Sequence, residues 1–192
     1  MIGNEYSNKT LKQNLIDGLS KKEFILSKFY TILFFSLVST LIIFCLSLIL
    51  GLIYSSYNEF NIIIREIEFL WAYFLKLVGF FSFCLFLGVL VKRSAFALAF
   101  LFVDFILEWI IFGLIAWKAN VELATKIQNF FPLTSMANLI KQPFQRVAMS
   151  KFPEKNSLDY DYAVHLDTML IVLLWSVVFI YLSYWLLKKR DL

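Results

Sequence analysis

The chain has 192 residues, 60% of them hydrophobic and 19% aromatic, with 22 phenylalanines and a formal net charge of +4; its mean hydropathy is +0.75. Soluble domains hold about 45–50% apolar residues, and here the excess is gathered in long blocks, which excludes a soluble globular protein and gives an integral membrane protein. No basic stripe with interleaved aromatics lies outside those blocks, so no nucleic-acid partner is expected and the lysines read as topology determinants beside a lipid bilayer.

The first 23 residues are polar to amphipathic and lack a signal-peptide cleavage pattern. Within "NEYSNKTLKQNLIDG", helical spacing puts Leu11, Leu15 and Ile16 on one face and Lys9, Lys12 and Asn14 largely on the other. Ser7 or Asn8 can cap this helix, and Gly18 can take the left-handed position that ends it. "SKKE", residues 20–23, is a capping box in which Ser20 and Glu23 satisfy each other's amides. A new helix therefore starts at Lys21 and runs into the first apolar block. By itself such an element is either a membrane-surface anchor or a rigid surface for a cytoplasmic partner.

Four runs are long enough to cross a bilayer as helix: residues 29–54, 69–91, 95–117 and 169–187. Residues 92–94, Lys-Arg-Ser, join the second and third runs as a tight antiparallel hairpin. Cys45 and Cys84 lie inside these runs without metal-ligand spacing and read as small hydrophobes. Basic residues collect at Lys9, Lys12, Lys21, Lys22 and Lys28, at Lys92 and Arg93, and at Lys188, Lys189 and Arg190. Four crossings put all three groups on one side, and the positive-inside rule makes that side the cytoplasm, with both termini. The short opposite loop, around 55–68, sets Arg65 against Glu59, Glu66 and Glu68, which agrees. The fold expected is an all-α integral membrane protein in a single transmembrane domain, residues 1–192, with an amphipathic N-terminal helix.

Residues 118–167 form the one long loop, on the outer side. "VELATKIQNFF" has helical spacing, Pro132 breaks it, and "SMANLIKQPF" gives a second short amphipathic helix ending near Pro143. These lengths suit an interfacial or re-entrant segment. "KFPEKNSLDYDY" then leads back as a polar connection.

Three charges fall inside the runs: Lys76, Asp104 and Glu108. Charges in hydrocarbon must be paired or hydrated, and they mark functional sites by default. Lys76 stands about 22 Å from the hairpin end of its helix and Glu108 about 20 Å from the hairpin end of the next. The two are thus level, and a Lys76–Glu108 ion pair or water-bridged contact is expected, with Asp104 one turn away on the Glu108 face. Such a group serves either a polar translocation path or a structural clasp. No nucleophile, metal or phosphate-loop motif accompanies it, and His165 stands at the outer end of the last run. No catalytic residue, metal or cofactor is expected.

"NEYSNKTLKQNLIDGLSKKEFILSKF" resembles the cytoplasmic segment between the second and third spans of ABC type-2 exporter permeases. That family shows an acidic residue and then a "-T-lrq-l--G-sR-efl--K" pattern, met here by Glu5, Thr10, Gly18, Ser20, Lys21, Phe24 and Lys28, with Lys21 where arginine is commoner. "FPLTSMANLIKQPF" resembles the amphipathic outer helices before the last span of such permeases. The resemblance implies that residues 5–18 form a coupling helix, offering Glu5, Thr10, Leu11, Lys12, Leu15, Ile16 and Gly18 to a separate ATP-binding cassette subunit. It implies a bacterial inner-membrane exporter built from two permease subunits, identical or not, with no ATP site of its own. It also implies two further spans ahead of the coupling segment, so the chain is expected to be a fragment or to take those helices from a partner. The alternative is a non-transporting four-span scaffold or accessory subunit. The transported substrate stays open.

Overall fold

The computed structural model describes residues 2–8, 10–54, 67–141 and 163–190, without the side chain of Ser7. Lys9, the loop residues Glu59, Arg65 and Glu66, Pro143 and the "KFPEKNSLDYDY" connection lie outside the described residues. The described residues form helices α1 (Ile2–Ser7), α2 (Thr10–Ile16), α3 (Lys21–Tyr54), α4 (Glu68–Val91), α5 (Ser94–Lys118), α6 (Val121–Gln128), α7 (Pro132–Asn138) and α8 (Leu166–Lys189), with no strand among them. Four of these, α3, α4, α5 and α8, are long and apolar enough to cross a membrane. The protein is an all-α integral membrane protein.

Between helices in lipid there is no hydrophobic force, so close packing and hydrogen bonds must hold the bundle. The sequence supplies small residues where the helices meet. α4 is the most buried of the four spans and lies between α3 and α8. A Cβ placed on Gly79 would stand 2.9 Å from Val172 Cγ1 of α8 and 3.2 Å from Met136 Cε of α7, so only glycine permits this approach. Ser82, Ser176 and Ser183 are buried near the same seam. The Ser176 and Ser183 hydroxyls donate to the Val172 and Phe179 carbonyls one turn back, at 2.8 and 2.7 Å, and so need no partner across the interface. Phe179 then packs its ring against Phe83, Phe86 and Trp175, with centroids 4.8, 5.7 and 5.3 Å apart. Gly79→Val is expected to weaken the bundle by about 1–3 kcal/mol through overpacking. Gly51→Val is the control, because a Cβ there meets nothing within 4 Å. Denaturation in mixed micelles reads the difference.

The three basic groups meet on one side of the bundle. The Arg190 guanidinium donates to the Val89 and Leu90 carbonyls, which end α4. The Lys21 ammonium donates in turn to the Arg190 carbonyl at 2.8 Å. Both are cations at helix C-termini, where unsatisfied carbonyls carry partial negative charge. Lys92, whose positive φ of 62° ends α4, holds its ammonium 5.7 Å from the Tyr6 ring centroid. A single clamp thus joins the end of α1 and the start of α3 to the ends of α4 and α8.

On the far side the second short helix differs from the sequence reading. The first outer helix ends before Pro132 as expected, but the second begins at Pro132 itself and stops at Asn138, where a helix from about residue 135 running on toward Pro143 was expected. Proline at a helix N-terminus costs no hydrogen bond, since its missing N–H would be unpaired there anyway. α6 packs back along α5, and α7 then packs against α4, α5 and α8. The Trp175 indole fixes the turn between them by donating to the Phe130 carbonyl at 2.8 Å.

Candidate functional site

Two polar places are candidates for function: the helix pair on the basic side and the charges inside the bundle. The N-terminal element is two helices, α1 and α2, and not one helix through residues 5–18. The reason is long-range. Ile2 and Leu11 are both buried in one cluster with Phe24, Ile25, Leu85, Val89 and Leu187. Nine residues apart, they would point about 180° from each other on a continuous helix. A break near Asn8 turns both inward. Asparagine favours such breaks, because its side chain competes for the backbone, and Thr10 Oγ1 reaches back to the Glu5 carbonyl at 3.4 Å.

α2 ends in a Schellman motif. Leu19 N donates to the Asn14 carbonyl at 3.1 Å and Gly18 N to the Leu15 carbonyl at 3.3 Å. Gly18 has φ +106°, a value that penalises any side chain. The capping box follows at once. Glu23 Oε2 accepts from Ser20 N at 2.9 Å and from Ser20 Oγ at 2.7 Å, and Glu23 N donates to Ser20 Oγ at 3.2 Å. Two fixed caps back to back leave little freedom between α2 and α3. Glu5 pairs with Lys28, both mostly buried, and this ties α1 down on α3. The acidic start and basic end of the sequence pattern are therefore one contact. Burial holds the Tyr6 phenol above its usual range, against the opposing pull of the Arg190 guanidinium.

The residues expected to meet a partner divide in two. Leu11 is only 2% exposed, and Leu15 is half-buried against the same cluster. Glu5 is committed to Lys28, and Thr10 reaches back toward Glu5. Lys12, Ile16 and Gly18 face outward, Ile16 at 68% exposure. Sequence spacing alone put Ile16 with the two leucines, yet it is the apolar residue that α2 leaves uncovered.

Inside the bundle the expected Lys76–Glu108 ion pair does not form, because α7 stands between them. Glu108 is 4% exposed. Its Oε1 accepts from Leu133 N at 2.9 Å, and its Oε2 accepts from Thr134 N at 3.0 Å and Thr134 Oγ1 at 2.7 Å. Lys76 Nζ lies at the other end of that helix, 3.5 Å from the Ala137 carbonyl. The anion thus sits at the N-terminus of α7 and the cation at its C-terminus, each opposite the helix charge it favours. Asp104, one turn from Glu108 on α5, has a buried Oδ2 with no partner among the described residues. Lys76 and Glu108 share one cavity of about 750 Å³ between α4, α5 and α7. Sequence reasoning missed Thr134, which donates both its amide and its hydroxyl to Glu108. It also missed Lys21 and Arg190 as clamps. Pro132 ahead of Leu133-Thr134, a helix-start pattern, was the available signal for the first.

Four apolar spans with a doubly capped helix pair folded over their basic side define a multi-pass membrane subunit. Residues 1–192 match the family described as ABC-2 family transporter protein. The chain belongs to that family and is an ABC transporter membrane subunit, an ABC-2 type permease. No curated protein and no solved structure matched it.

Proposed function

We propose that this permease is the membrane half of an ATP-driven exporter and that α2 is the surface on which a separate ATP-binding subunit docks. One observation carries the reading: α2 buries Leu11 in the bundle while turning Lys12 and Ile16 outward, and it is joined to α3 by consecutive caps. Such a helix moves only with the spans beneath it, which is what transmitting a partner's closure requires. Membrane subunits of this family generally work with an ATP-binding subunit. By the positive-inside rule the basic side, with α1 and α2, faces the cytoplasm, where ATP is available, and the membrane we propose is a bacterial inner membrane. The apolar outer faces of α3 and α5, with Phe34 70% and Phe102 66% exposed, meet lipid or a second permease subunit.

The test is affinity purification of the tagged chain from its own host, with mass spectrometry for a protein bearing a phosphate-binding loop. The wild-type chain should bring that protein down. Lys12→Glu with Ile16→Asp should reduce recovery at least tenfold, on the order of the 1.4 kcal/mol that a lost central contact exceeds. Both side chains are exposed, so the fold survives the change. Recovery of no such ATPase with the wild type would favour an accessory subunit, and undiminished recovery with the variant would place docking elsewhere.

A further inference from the structure

The cavity between α4, α5 and α7 holds a charge that its walls do not satisfy. Its two charged residues are Lys76 and Glu108. The Glu108 carboxylate already accepts three hydrogen bonds from α7. Lys76 has three N–H donors and one contact among the described residues, the Ala137 carbonyl at the 3.5 Å limit of a hydrogen bond. An ammonium at this depth needs an anion or water. The other walls are chiefly apolar, and three of them are well exposed: Phe102 at 66%, Phe105 at 51% and Trp109 at 54%. All three are on α5, one of the spans, so the cavity opens sideways out of the bundle within the membrane-spanning region, where a bilayer lipid can reach it. Its volume of about 750 Å³ falls within the roughly 300–1,000 Å³ of small-molecule sites.

We infer that this cavity binds an anionic amphiphile from the membrane, its oxyanion headgroup held by Lys76 and its alkyl chain laid along Phe102, Phe105 and Trp109. The sign of the headgroup follows from which charge is free. A cationic ligand would meet a carboxylate already engaged by three donors of α7, whereas an oxyanion completes Lys76 without breaking any of those bonds. Headgroup carboxylate and headgroup phosphate supply the same chemistry, from a free fatty acid or from a phospholipid. The inference depends on the chain lying in a bilayer and not on its coupling to an ATPase.

Photolabelling of the purified full-length chain tests it, with three probes carrying a diazirine in the alkyl chain: palmitate, phosphatidylglycerol and the uncharged hexadecanol. Palmitate, phosphatidylglycerol or both should label residues 101–109, and unlabelled palmitate or phosphatidylglycerol should compete. Labelling by palmitate alone makes the ligand a carboxylate, by phosphatidylglycerol alone a phospholipid, and by both an oxyanion irrespective of source. Lys76→Met should cut the labelling roughly tenfold, the worth of one charge-assisted hydrogen bond, and Lys76→Arg should keep it. Equal labelling of residues 101–109 by hexadecanol, or labelling unaffected by Lys76→Met, would overturn the inference and leave only annular lipid. Should Lys76→Met fail to fold, the comparison of charged and uncharged probes on the wild type still decides.

Discussion

Glu108→Ala is expected to detach α7 from the bundle. The wild-type carboxylate takes two main-chain amides and one hydroxyl of α7. Hydrogen bonds to a charged acceptor are worth about 1.5–3 kcal/mol each, and an amide left unpaired away from water costs about as much again. Against this stands the desolvation of the carboxylate itself, which the substitution relieves. The first effect wins, because alanine returns no acceptor to the three donors of α7. The net loss is about 3 kcal/mol, which corresponds to roughly a hundredfold rise in the open population. Ser135, fully buried in α7, reports it: with Cys45→Ala and Cys84→Ala in place, Ser135→Cys should resist a polar maleimide in the wild type and react about a hundredfold faster with Glu108→Ala. Glu108→Gln should fall between, since its carbonyl still accepts while its amide presents donors to the donors of α7. A cysteine at 135 that stays protected in Glu108→Ala would mean that packing around Met136 and Leu139 suffices to hold the helix.

The four spans were legible because a bilayer leaves little choice: backbone groups must be paired within each segment, and about 20 apolar residues are needed. The caps at Gly18 and at Ser20 with Glu23 were legible for a different reason, that each is complete within a few consecutive residues. What escaped was everything settled between distant segments. Measuring Lys76 and Glu108 along their own helices set them level, but that ruler does not see a third helix entering from the far side. α7 belongs to a stretch 24 or more residues on from Glu108, and it converts a direct ion pair into two helix-end contacts. The break between α1 and α2 is likewise invisible locally, because it follows from burying Ile2 and Leu11 in one cluster. Lys21 and Arg190 were counted as charges on a side, and their order in the chain says nothing of the carbonyls they cap.

Lys28→Met should loosen the whole N-terminal element although it changes one side chain on α3. Lys28 pairs with Glu5, their side chains 13% and 20% exposed, and its ammonium lies 5.0 Å from the Phe24 ring centroid. Glu5 Oε2 is already buried without a partner among the described residues. Removing the cation leaves that carboxylate with neither charge nor donor, which costs more than the pair itself contributes. For groups this far out of water the loss is about 1–3 kcal/mol, and tryptic cleavage after Lys12 should accelerate by roughly tenfold or more. Glu5→Gln should be milder, since a buried amide is cheaper than a buried anion. The exchanged pair, Glu5→Lys with Lys28→Glu, decides between pairing and mere packing: recovery of at least half the protection shows that the charges recognise each other, and additive losses show that they do not. If α2 is the docking surface, Lys28→Met should also weaken recovery of the ATP-binding subunit without touching any exposed residue of α2. That combination separates a helix that must be held rigid from one that need only present Lys12 and Ile16, because a loosened α2 still displays both side chains but no longer moves α3 with them.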